Sequence, residues 1–236
     1  MIKVKELTKI YNQQFALSGL NFDIDYGKCL CILGPNGAGK STFIRILSTL
    51  SRPNQGDIFI DGKSVFENPA EFRRKIGLIA HATFLYPELT AAENLKFYAT
   101  LYRVPKPEKR ADALLKTVGL AHRSNDRVRT FSRGMQQRLA IARAILNEPE
   151  ILLLDEPYTG LDQSASQLLT DRILELKSEN RTIVLITHNI QQGFQLADKI
   201  AVFKEGRIAF EAETGDMTES EFQQRYHEII AAGGNN

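Results

Sequence analysis

Five apolar residues, Cys29–Leu33, lead into Gly34, Pro35, Asn36, Gly37, Ala38, Gly39, Lys40, Ser41 and Thr42, and an amphipathic run of Phe43, Ile44, Ile46, Leu47 and Leu50 follows. The middle of this stretch fits the phosphate-loop pattern G-x-x-x-x-G-K-[ST]. A buried strand, a glycine-rich turn and a helix in that order leave few folds open, and an α/β sheet is the one they fit. Glycines let the backbone turn tightly and aim several N–H groups into one hollow, and the helix start behind them adds positive partial charge. Lys40 is then placed to reach the β- and γ-phosphates of a nucleotide, and the Ser41 hydroxyl to ligate Mg²⁺. A chance glycine-rich turn would carry no such flanks.

The rest of the chain extends this unit. The 236 residues are 43% hydrophobic and 25% charged, an ordinary globular balance that suits one domain with lobes. Ile2 and Val4, 22–25 and 58–60 alternate apolar with polar residues and predict a small antiparallel sheet, with Tyr11 in the link between its first two strands. Ile76–Ile79 predicts a core strand. Thr90 and Glu93 form a capping box opening a helix through Leu95, Tyr98, Leu101 and Tyr102. Pro105 and Pro107 interrupt, and a second helix over Ala111, Leu114, Leu115 and Val118 stops at Gly119. No strand is evident between Glu88 and Asn147. Strand and helix then alternate: 151–154, a helix around Leu168 to Leu176, Thr182–Ile186, a short helix around Phe194, and strands at 200–203 and 207–210. A terminal helix is expected at 217–232 and a frayed tail at 233–236. The predicted fold class is an α/β P-loop NTPase core with a mostly parallel sheet, plus an antiparallel β subdomain (together 1–84 and 148–215) and an inserted α-helical subdomain at 85–147.

Composition narrows the partners. Thirty basic against 28 acidic residues, net +2, leaves no nucleic-acid footprint. Cys29 and Cys31 are expected on opposite faces of their strand, so no disulfide joins them, and a reducing, cytosolic compartment follows. The N-terminus lacks a signal-peptide pattern, and no apolar run approaches the roughly 20 residues needed to cross a bilayer. Any membrane part must come from another chain.

Asp155 and Glu156 close the apolar run at 151–154. Beside a phosphate loop this pattern fits a second nucleotide motif, with Asp155 serving Mg²⁺ and Glu156 polarising an attacking water. No N-K-x-D run for guanine is present, so ATP is favoured, with Tyr11 as the stacking platform for its base. Ser132, at the start of a helix carrying Leu139, Ala142, Ile145 and Leu146, makes a second anion-seeking helix end with Gly134. Two such ends for one γ-phosphate suggest a two-fold dimer, while an ordinary serine cap would account for Ser132 alone.

At this point the chain resembles the ATP-binding subunits of ABC transporters over nearly its whole length. Residues 34–42 match their first nucleotide motif, and 152–157 (Leu-Leu-Leu-Asp-Glu-Pro) their second. Residues 132–136 stand at their signature, with Arg133 and Met135 in place of the commonest residues. Gly160, Leu161 and Asp162 match the loop that crosses the dimer, Thr187 and His188 the switch histidine, and Tyr11 the adenine-stacking aromatic. The resemblance implies two chains, identical or paired with a second ATPase subunit, holding two ATP molecules head to tail. Ser132, Gly134 and Gln136 of one would close on the γ-phosphate held by Lys40 of the other. It implies Glu156 as general base or water-orienting carboxylate, His188 on the γ-phosphate, and residues 85–102 facing a membrane permease on the cytoplasmic side. Where the family has glutamine this chain has His81, a residue expected near Mg²⁺. An imidazolium there would repel the metal, so ATPase activity is expected to fall with pH through the histidine range. His81 and the run after it also resemble haem-exporter subunits of cytochrome c maturation. The alternatives are an exporter of an unassigned substrate such as a lipid or drug, a soluble ATPase of the same family, as in iron–sulfur assembly, and a regulator that only binds nucleotide, against which intact Lys40, Asp155, Glu156 and His188 argue.

Overall fold

The computed structural model describes residues 1–80 and 82–232, with Ser164 described through its backbone alone. His81 and the expected tail at 233–236 lie outside the described residues. The first half runs β1 (Ile2–Tyr11), β2 (Gln14–Ile24), β3 (Cys29–Leu33), α1 (Lys40–Leu47), β4 (Gln55–Ile60), β5 (Lys63–Ser64), α2 (Pro69–Lys75) and β6 (Ile76–Ile79). Three helices follow without a strand, α3 (Ala91–Leu101), α4 (Pro107–Thr117) and α5 (Arg133–Ala144). Alternation then resumes with β7 (Ile151–Asp155), α6 (Gln163–Ser178), β8 (Thr182–Ile186), α7 (Ile190–Leu196), β9 (Lys199–Lys204), β10 (Arg207–Glu213) and α8 (Glu219–Ala231).

Two sheets result. An antiparallel one has strand order β2-β1-β4-β5, and the central one β10-β9-β3-β8-β7-β6. In the central sheet β9, β3, β8, β7 and β6 are mutually parallel, and β10 lies antiparallel on the β9 edge. The buried apolar runs of β3, β7 and β8 are what parallel strands covered on both faces require.

Strand β3 separates two cores. Leu30 and Ile32 pack with Phe43 and Ile44 of α1 and with the antiparallel sheet, where the Phe22 and Phe43 rings meet at 5.2 Å and Phe43 and Phe203 at 5.9 Å. Cys29, Cys31 and Leu33 point the other way, into the core shared with α3, α5, α6 and Phe222 of α8. The expectation that Cys29 and Cys31 face opposite ways is therefore corrected: residues two apart on a strand share a face. Both thiols are free and buried.

The capping box of α3 forms, with Glu93 N–H donating to Thr90 Oγ1 at 3.1 Å and Thr90 N–H to Glu93 Oε2 at 2.8 Å. Helix α2 has no counterpart in the expectations. It buries only Phe72, so it has no apolar period, and its local signals are Pro69 in the first turn and basic Arg73, Arg74 and Lys75 in the last. Among the described residues no helix is long and apolar enough to cross a membrane.

Candidate functional site

The loop between β3 and α1 has its shape because Gly34 and Gly39 have no side chain. Gly34 sits at φ +147°, and a Cβ there would lie 2.2 Å from the Phe203 carbonyl oxygen. Gly39 sits at φ +99°, and a Cβ would lie 2.3 Å from the Ala16 carbonyl oxygen. The loop is thus pressed between β9 and β2, with its backbone drawn around the start of α1.

Lys40, 8% exposed, curls over this loop, and its Nζ donates to the carbonyls of Gly34 at 2.6 Å and Pro35 at 2.9 Å. Burial lowers its pKa below the ordinary lysine value, and the nearby carboxylates of Glu156 and Asp155 oppose that shift. Ser41 Oγ donates to Asp155 Oδ1 at 3.2 Å, so two of the three residues expected at the metal stand together, the third, His81, lying outside the described residues. Both offer hard oxygen donors, as Mg²⁺ prefers. At the next position His188 Nδ1 lies 2.8 Å from Glu156 Oε2. The His188 side chain is 78% exposed, so it can turn towards a ligand without repacking the core.

Glu156 takes a positive φ of 51°, a costly conformation for a residue with a Cβ. Its N–H is held by the Ile186 carbonyl at 3.0 Å, which aims the side chain off the end of β7. The hollow so formed, about 220 Å³, is lined by Gly37, Lys40, Ser41, Asp155 and Glu156, with Ala16 from β2 as its far wall.

Five expected residues, Tyr11, Ser132, Gly134, Gln136 and Asp162, lie elsewhere. Tyr11 ends β1, 45% exposed, with Lys9 Nζ 5.0 Å from its ring centroid, and is not among the residues lining the hollow. Ser132 caps α5 by accepting from Met135 N–H at 3.3 Å, and with Gly134, Met135 and Asp162 it lines a separate, open cavity of about 940 Å³. Asp162 also caps α6, accepting from Ala165 N–H at 2.8 Å. Gln136 turns inward, its amide donating to the Phe131 carbonyl at 3.2 Å, and Met135 takes the place in the cavity wall that the sequence suggested for it.

Ala16 and Gln137 carry no motif signal that singles them out. Ala16 reaches the hollow only through the register that sets β2 against the loop. Gln137 is buried in α5 and donates to the Pro157 carbonyl at 2.8 Å, beside Glu156.

Comparison with known proteins agrees with this geometry. A family model described as ABC transporter matches residues 17–159. The ABC transporter ATP-binding protein NatA of Bacillus subtilis is 37% identical over 87% of this chain and 85% of its own length. The Nod factor export ATP-binding protein I of Ralstonia nicotianae is 34% identical over 88% of this chain, which spans 65% of that relative. Among solved structures, the dimeric post-hydrolysis state of the ATP-binding cassette MJ0796 with ADP and Pi superposes with a TM-score of 0.84. It is 32% identical, over 91% of this chain and 99% of that one. The P-loop fold, the hollow at residues 34–42 with Asp155 and Glu156, and these matches have one common meaning: the chain belongs to the ABC transporter family, as one of its ATP-binding, ATP-hydrolysing subunits.

Proposed function

We propose that this chain powers export through a separate membrane subunit, hydrolysing ATP at sites completed by a second ATPase subunit. The observation that carries the reading is the division of the site. The hollow holding Lys40, Ser41, Asp155 and Glu156 measures about 220 Å³, below the roughly 300–1,000 Å³ of an enclosed small-molecule site. The capped helix start at Ser132 and Gly134 faces a different cavity of the same chain. One chain thus offers two open halves, and a head-to-tail pair would join each hollow to the partner's helix start. The solved dimer it resembles supports this arrangement.

The residues divide the work. Lys40 exchanges its loop carbonyls for phosphate oxygens. Ser41 and Asp155 would hold Mg²⁺, which supplies charge neutralisation across the β- and γ-phosphates. Glu156 orients water and accepts its proton. In its hydrogen bond to Glu156, neutral His188 carries its proton on Nδ1, which leaves Nε2 an acceptor. Contact with a phosphate oxygen therefore requires either a second proton on His188 or release of Glu156, and release frees that carboxylate for water. Ser132 and Gly134 would close on the γ-phosphate of the partner's nucleotide, Asp162 lines the same face, and Tyr11 would stack on adenine.

Towards the membrane, the exposed Phe84 ring and Leu101 side chain line a groove of about 290 Å³, and the exposed Tyr86 and Phe97 rings pack on Tyr98 of the same lining. Among the described residues, Arg73 and Arg143 line that groove and no acidic residue does, and the buried Arg143 Nε has no hydrogen-bond partner. This lining suits a cytoplasmic segment of the permease that brings apolar side chains and an acceptor oxygen. The export direction is supported by the likeness to a Nod factor export ATP-binding protein, and a haem-related cargo has no support from that relative. The chain would sit on the cytoplasmic face through this contact.

The test is ATP turnover of wild type and Glu156→Gln. General-base removal should cost about 10²–10⁴-fold in kcat while nucleotide still binds, and the variant should form a stable dimer in ATP by light scattering. Equal, negligible rates for both proteins would favour a nucleotide-binding regulator and overturn the proposal.

A further inference from the structure

Gln137 has no place in the nucleotide chemistry, yet its position joins two parts of it. Its side chain is 9% exposed, and Nε2 donates to the Pro157 carbonyl at 2.8 Å. Pro157 directly follows Glu156, whose backbone is held at positive φ with little freedom to shift independently. One helical turn earlier on α5, the stem of Arg133 lies against Gly160, where a Cβ would fall 2.6 Å from Arg133 Cδ and Nε. Ser132, Gly134 and Asp162 wall one cavity. The start of α5 and the loop from Pro157 to Asp162 are therefore braced at two points, and Gln137 supplies the directional one. The amide must present its nitrogen, because the carbonyl it meets can only accept.

We infer that Gln137 is a positioning residue that couples the two nucleotide sites of the dimer, transmitting closure of α5 on the partner's ATP to the Glu156 of its own chain. The inference rests on the head-to-tail reading above, in which α5 serves one nucleotide and Glu156 the other. Closure of Ser132 and Gly134 on a γ-phosphate moves α5. The Gln137 bond carries that movement to Pro157, and Glu156 is set for its own water only when the other site is filled. Two sites coupled in this way give a Hill coefficient that approaches two.

The experiment uses Gln137→Met, which keeps length and burial and loses the donor. In wild type the Hill coefficient for ATP turnover should exceed one, and in Gln137→Met it should fall towards one with a lower kcat. Mixed dimers separate coupling from damage to α5. One protomer carries Glu156→Gln and so holds a dead base, and Gln137→Met is placed in either protomer. Coupling through Gln137 predicts that turnover falls when the substitution sits in the protomer with the intact Glu156, and is nearly unchanged when it sits in the other. Damage to the α5 start predicts the reverse, because the live nucleotide is contacted by the dead protomer's α5. An unchanged Hill coefficient, or that reversed asymmetry, overturns the inference. A wild-type Hill coefficient of one, with turnover per chain independent of dilution, would instead remove the dimer reading and this inference with it.

Discussion

Lys40 makes nucleotide affinity depend on pH in a definite direction. In the free chain its ammonium is buried and donates to two neutral carbonyls, and burial holds its pKa below 10.5 against the opposing pull of Glu156 and Asp155. In the nucleotide complex proposed above the same group would meet phosphate oxygens, which would stabilise its charge and raise the pKa. A group whose pKa rises on binding supports full affinity below its free-state pKa and loses it as pH climbs towards the bound-state value. Each pH unit inside that window weakens binding by up to about tenfold, or 1.36 kcal/mol. Asp155 and Glu156 line the same hollow, so a Lys40→Met control isolates the part of the slope that belongs to the lysine. The assay is equilibrium binding of ADP at fixed magnesium from neutral pH up to the ordinary lysine value of 10.5, with circular dichroism to show that the fold is unchanged. Affinity should fall with rising pH, and the weak residual binding of Lys40→Met should not follow that slope. An affinity that is flat, or that rises, in wild type while Lys40→Met binds poorly would refute this account of the lysine.

Thr90→Ala removes the acceptor for the Glu93 N–H and should cost about 1 kcal/mol, seen as a melting point about 2–4 °C lower. Cys29 and Cys31 are buried, and burial pushes Cys29 up to about 12 and Cys31 well above the ordinary thiol value. Neither should react with a thiol reagent at pH 8 in native protein, and both should react at once in denaturant; rapid native labelling would contradict the burial.

The phosphate loop, the acid pair after β7 and the α3 capping box were legible because each is local: the residues that make the geometry are adjacent, and apolar runs beside them name the element. The face assignment of Cys29 and Cys31 failed on a point of strand geometry that the sequence does contain, since residues two apart share a face. Helix α2 was missed for a physical reason, because only Phe72 is buried and a single apolar residue has no period. Ala16, the positive φ of Glu156 and the Gln137–Pro157 bond depend on segments brought together by the fold. No window of sequence contains both partners of such a contact. Gln136 shows the converse case: its place in a motif suggested the nucleotide, and its side chain bonds the backbone behind it.

The charge count of the hollow leads to a further expectation about Asp155. Lys40 contributes one positive charge, and Asp155 and Glu156 two negative ones, so with neutral His188 the side chains sum to minus one. A bare triphosphate meets helix and loop N–H groups that attract it and carboxylates that repel it. A divalent cation held by Ser41 and Asp155, as proposed above, would reverse the sign, and the site would then prefer the metal complex to the free nucleotide. Asp155→Asn keeps the size of the side chain and removes one negative charge. Two unit charges about 5 Å apart at an effective dielectric constant near 20 interact by about 3 kcal/mol, and solvent in this open hollow reduces that to about 1 kcal/mol. Metal-free ATP should therefore bind Asp155→Asn about five- to tenfold more tightly than wild type, whereas half-saturation of turnover by Mg²⁺ should require at least about tenfold more metal. Isothermal titration in EDTA reads the first and a magnesium titration of ATPase rate the second. If metal-free affinity falls together with metal dependence, Asp155 holds the loop in shape through Ser41 and contributes little through its charge.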